Sequence, residues 1–171
     1  MSAHEEVEEH IHHAQDPFDK RVAGSMAIIA ALLAIVSVLG QHFNTETLLN
    51  QQLASDQWAY YQAKDIRRYI AQATADNFHQ VKADSAAERY VKDSSRYKAD
   101  TEHISEKARD FEKERDNNGR RANRFHFGEV FLEMAIVFSS LSILSRRRQL
   151  FWAGILFACI GVAVATTAVL A

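Results

Sequence analysis

Charged residues are absent from two long stretches of the chain and dense between them. None falls between Val22 and Leu39 or between Leu150 and Ala171, whereas from Thr45 to Arg124 a charge recurs every few residues. A soluble helical domain mixes apolar and polar positions within each helix. Segregation on this scale is the pattern of a chain divided between two solvents. An α-helix rises about 1.5 Å per residue, so crossing a hydrocarbon core about 30 Å thick takes about 20 apolar residues. Three stretches reach this length: residues 20–43, 125–145 and 150–171. The middle one carries two carboxylates, Glu129 and Glu133. The last two are joined by a basic turn, residues 146–149. The pattern predicts an all-α membrane protein with three transmembrane helices.

Residues 44–124 must leave the membrane and return to the same face. They contain no proline, and Gly119 is their only glycine, so helix is expected with one turn near residues 80–84. Ser85-Ala86-Ala87-Glu88 fits a capping box opening the second arm. Asn117-Asn118-Gly119 resembles a helix C-terminus. Within the second arm Ala87, Ser94, Thr101 and Ala108 form one row and Tyr90, Tyr97, Ile104 and Phe111 a second, alternating three and four apart. This is the seam of a coiled coil, small residues facing large ones. The first arm continues the spacing with Ala59, Ala63, Ile66, Ile70 and Ala73, and then turns polar at Asn77 and Gln80. A long antiparallel coiled-coil hairpin follows, each arm about 50 Å long. Its polar tip suits a solvated turn, or else a recognition surface. Two narrow seams bury little, so association into a homo-oligomer is expected.

The formal net charge of −2 implies no bulk attraction to nucleic acid. Cys159, the single cysteine, lies in an apolar run and has no intramolecular partner for a disulfide. Orientation follows the short basic clusters. Lys20 and Arg21 precede the first span, and Arg146, Arg147 and Arg148 join the second and third. Two crossings separate them, so both place the N-terminus in the cytoplasm and the hairpin outside it, on a periplasmic or extracellular side. Arg120, Arg121 and Arg124 disagree, but they end a long loop, which weighs less in the rule. Trp152 sits at the interfacial position of an aromatic anchor.

Residues 1–19 form an acidic tail rich in His and Glu, expected to be disordered. His10, His12 and His13 are its candidate metal ligands, without the spacing of a known site. No phosphate loop, nucleophile elbow or zinc spacing occurs, and no cofactor is implied. The intramembrane carboxylates remain as candidate chemistry. Glu129 and Glu133 share a helix face, and a charge deep in a span costs about 2.5–3.5 kcal/mol unless it faces protein. Counting along the spans places Ser37, Gln41, His42, Thr166 and Thr167 at similar height, so a polar layer is expected. It would be a hydrogen-bonded lock that sets helix register or, in the rival reading, a proton or cation site. Small residues line two spans, Ala23, Ala27, Ala30, Ala34 and Ser37 in one and Gly154, Ala158, Gly161, Ala165 and Ala168 in the other, a pattern that permits close helix approach.

The run Asn50-Gln51-Gln52-Leu53-Ala54-Ser55-Asp56-Gln57-Trp58-Ala59-Tyr60-Tyr61-Gln62-Ala63-Lys64 resembles the signature of a bacterial family known as a domain of unknown function, four-three-three-seven of its series. The second span from Glu129 to Leu144, its basic turn and the apolar C-terminal helix are similar to the rest of that pattern. The resemblance implies a small bacterial membrane protein and supplies no activity, cofactor or catalytic residue. Trp58, Tyr61 and Tyr69 either cover a packed helical face or form a docking face for another membrane or periplasmic protein. The expected function is non-enzymatic: a self-associating membrane scaffold or adaptor in contact with membrane lipid. The alternative is a small ion or proton channel subunit using Glu129 and Glu133.

Overall fold

A computed structural model describes residues 17–170, and every element in them is helical: α1 (Pro17–Gln80), α2 (Asp84–Ser145) and α3 (Arg148–Leu170). Each contains a window long and apolar enough to cross a membrane, which fits an integral membrane protein. Proline opens α1, where its missing N–H costs nothing and its fixed φ suits the first turn. Residues 1–16, with His10, His12 and His13, lie outside the described residues.

The chain divides into two compact units, one holding Thr45–Asn118 and the other the remainder. In the first, α1 and α2 pack as an antiparallel helical hairpin. Phe78 stacks on Tyr90, Ser94 donates to Gln72, Lys64 pairs with Asp100, Trp58 donates to Glu112 and Arg115 to Gln51. As the partners move back along α1 they move forward along α2. At the turn, Val81, Lys82 and Ala83 link the helices. Lys82 adopts a left-handed φ of 58°. Its amide donates to His79 O and the next amide, on Ala83, to Phe78 O. This is a Schellman cap with lysine where glycine is usual.

In the second unit Val22, Ile29 and Val36 of α1 and Phe125, Leu132 and Ala135 of α2 are buried, together with Ala158, Ala165 and Ala168 of α3. Phe43 stacks on Phe125, and Phe157 on Phe131 and Phe138. Between α2 and α3 the backbones nearly touch. A Cβ added to Gly161 would lie 2.9 Å from Gly128 O, and one on Gly154 3.0 Å from Ala135 O. The small row of α3, Gly154 to Ala168, is buried. Its counterpart on α2, made by Gly128, Leu132, Ala135, Ser139 and Ser142, did not stand out in the sequence because Leu132 and the hydroxyls interrupt it.

Several expectations are corrected. Asn117-Asn118-Gly119 does not end a helix; α2 runs through it, and no described glycine has a positive φ. An unbroken helix keeps its backbone groups paired as the chain enters an apolar window. The capping box also shifts. The amides of Ala86 and Ala87 both donate to Ala83 O, so Ala83 holds the cap position and Ser85 lies inside the first turn. In span one Ala23, Ala27, Ala30 and Ala34 are exposed and Ser37 half-buried. The larger Val22, Ile29 and Val36, seven apart, fill the core instead.

Candidate functional site

In the second arm, Ala87, Ser94, Thr101, Ile104 and Ala108 are buried. Tyr97 and Phe111 are half-buried, and Tyr90 lies at the rim, 38% exposed. The first arm differs from the sequence reading. Ala59, Ala63, Ile66, Ile70 and Ala73 all face outward; Ile66 is 59% and Ile70 60% exposed. The face turned to α2 is Asn50, Ala54, Trp58, Tyr61, Lys64, Arg68, Ala71, Ala75 and Phe78. The reason lies in α2, which presents small residues flanked by acids. Its complement is a row of small residues with long amphipathic ones, whose stems pack while their polar ends find partners. Lys64 Nζ lies 2.8 Å from Asp100 Oδ2 and packs over the rings of Tyr60 and Tyr97. The hydrogen bond from Lys64 holds the Asp100 carboxyl below its ordinary value, and the same bond raises the Lys64 amine.

The docking face expected from Trp58, Tyr61 and Tyr69 is divided. Trp58 and Tyr61 meet edge to face on the inner side, where Trp58 Nε1 donates to Glu112 at 2.9 Å. Tyr69 is 62% exposed, with the Arg68 guanidinium over its ring. Tyr60 and Tyr69 flank the outward row, in which Ile66 and Ile70 are themselves exposed.

Of the candidate polar residues the structure brings Gln41 and Glu129 to one cavity and turns others to different faces. Gln41 and Glu129 line a cavity of about 390 Å³ with Asn44, Asn123 and His126, opened by Gly40, Gly119 and Ala122. His126 Nδ1 lies 3.6 Å from Glu129 Oε2. The remaining members are elsewhere. Thr166 and Thr167 donate to Val162 O and Val164 O of their own helix. His42 is exposed, edge-on to Phe43. Glu133 is exposed on α2 between exposed Val130, Met134 and Val137. Sequence counting gave heights along the spans but not azimuths, and the azimuths separate these groups. Among the described residues no three His, Cys, Asp or Glu side chains gather as a metal site.

A family model described as a domain of unknown function (DUF4337) matches residues 18–171. No curated protein and no solved structure matches the chain.

Proposed function

The chain belongs to the DUF4337 family, whose description assigns no activity, and we propose that it is a non-enzymatic, self-associating membrane scaffold or adaptor that presents a coiled-coil arm. It resides in the bacterial inner membrane, N-terminus cytoplasmic and hairpin periplasmic. The observation that carries this reading is the outward row Ala59, Ala63, Ile66, Ile70 and Ala73, exposed throughout and spaced as a heptad seam. Copies inserted in one bilayer share an orientation, so their α1 helices run parallel and the row of one meets the same row of another. In that register Gln62 faces Arg67, and Tyr69 faces Thr74. No like charges oppose, and the aromatic flanks add contact area.

Glu133 adds support. A carboxylate exposed on an apolar helix costs about 2.5–3.5 kcal/mol when it meets lipid, and a second copy of the chain removes that cost. The same residue favours the rival, a proton or cation conductor. Two experiments decide. Cysteine placed at Ile70 on a Cys159→Ala background is expected to give disulfide-linked dimers on mild oxidation in membranes, while cysteine at exposed Glu102 gives none. A parent that is monomeric in mild detergent, with no Ile70 cross-link, overturns the scaffold. In reconstituted vesicles no proton or cation flux is expected. A flux present in the parent and lost in a well-assembled Glu133→Gln variant would establish the conductor instead.

A further inference from the structure

The basic residues read first as a signal for orientation also build a cavity. At the end of the membrane unit where α2 turns into α3, Pro17, Phe18 and Arg21 of α1 and Arg148, Phe151 and Trp152 of α3 enclose about 410 Å³. The two arginines come from different helices and line the same space. The Arg148 guanidinium packs over the Phe18 ring at 5.6 Å; Phe18 meets Phe151 edge-on at 5.9 Å, and Phe151 lies 6.0 Å from Trp152. Among the described residues the lining contains no carboxylate. No Asp or Glu follows Glu133 in the chain, so α3 and the turn before it carry none. Among the described residues Asp19 is the one acid in the first turn of α1, against Lys20, Arg21, Arg146, Arg147 and Arg148. No ion pair joins Arg21 or Arg148 to a described carboxylate. The first turn of α3, a 23-residue helix, also lies here, and its dipole favours an anion.

We propose that this cavity binds the phosphate headgroup of an anionic membrane phospholipid. Arg21 and Arg148 grip the phosphate from two sides, the fork of a guanidinium matching its oxygens. Phe18, Phe151 and the 68%-exposed Trp152 form an interfacial wall beside it. Exposed Leu156, one turn further along α3, continues that wall with an apolar surface for an acyl chain. A lipid, not a soluble phosphate, is the occupant because the charge sits beside three helices that are each long and apolar enough to cross a membrane. Basic pockets between such helices select anionic headgroups. Bound lipid would add to the Phe18 contacts that tie the start of α1 to the start of α3. The site stands apart from self-association through the hairpin.

The test is native mass spectrometry of the full chain in detergent, titrated with phosphatidylglycerol and phosphatidylcholine. Phosphatidylglycerol should be retained in preference. Arg148→Gln should weaken it about fivefold and Arg21→Gln/Arg148→Gln about 25-fold, following roughly 1 kcal/mol per arginine. Arg148→Lys should keep most of the binding. Arg147→Gln, with the same loss of charge outside the cavity, should change it less than about twofold. A second readout needs no charge variant: on a Trp58→Phe background, brominated phosphatidylglycerol should quench Trp152 more than brominated phosphatidylcholine. Equal retention of the two lipids overturns the proposal. So does equal loss in Arg147→Gln and Arg148→Gln, which would mean diffuse charge. Displacement of the lipid by millimolar inorganic phosphate would reassign the site to a soluble anion.

Discussion

At the scale of the residue, the structure depends on a few places where an atom more or less decides packing. A Cβ on Gly161 would press on the Gly128 carbonyl and on Leu132. Backbone cannot yield there, so Gly161→Ala should destabilise the α2–α3 contact by about 1–3 kcal/mol. Gly24→Ala, where nothing lies within 4 Å, should be near silent. Denaturation in mixed micelles measures both. Ser139 is the converse case. Its hydroxyl is fully buried and, among the described residues, without a hydrogen-bond partner. Ser139→Ala keeps the small volume and removes the orphan group, so stability should rise by about 1 kcal/mol. The Lys64–Asp100 pair carries a pH signature. Asp100, held below its ordinary 3.8, contributes fully above that pH, and the contribution is lost as the pH falls through its lowered value. Lys64, raised above 10.5, contributes fully below that pH and loses its contribution as the pH rises through its raised value. Melting curves of parent and Asp100→Asn should therefore differ at neutral pH and converge on acidification below 3.8. A constant difference down to strong acid would mean that the pair is not what separates them.

At the scale of the element, the hairpin gives α1 one face packed on α2 and one turned outward, and substitutions should separate them. Ile104 is 5% exposed and faces α1. Ile104→Asp places a charge in that contact and should melt the hairpin, read as lost helicity or raised proteolysis. Ile70→Asp changes an outward residue. It should leave helicity and melting of the chain intact while abolishing the disulfide cross-link of a cysteine placed at Ile66 on a Cys159→Ala background and lowering the oligomer mass. If Ile70→Asp unfolds the hairpin as Ile104→Asp does, the outward row is misplaced. The second arm was legible in the sequence because its inner row, Ala87 to Ala108, is small and regularly spaced. The first arm misled for a physical reason: its most apolar row is the one left free, while the packed row contains Lys64 and Arg68. Hydropathy counts such residues as solvated, yet their methylene stems pack well against small side chains.

At the scale of the whole molecule, the distribution of charge sets the topology proposed here. Cysteines introduced at exposed hairpin sites on a Cys159→Ala background should react with an impermeant thiol reagent on intact cells, once any outer membrane is made permeable. Reaction only after lysis would reverse the orientation and put the arm in the cytoplasm. It would leave the phospholipid cavity in place but move it to the opposite leaflet.

The sequence by itself determined the helical class, the three apolar windows and the family, Trp58 to Lys64 being its most specific run. Charge segregation, the scarcity of glycine and proline, and hydrophobic length act locally along the chain, so they can be read without knowing what touches what. Tertiary structure decided the azimuths. It turned Ile66 and Ile70 outward, hid the row from Gly154 to Ala168, left Glu133 exposed while Glu129 joined Gln41 at a cavity, and brought Arg21 beside Arg148 across the 126 residues that separate them. Which face a helix buries depends on the shape and charge of its partner, and that information lies in another part of the chain.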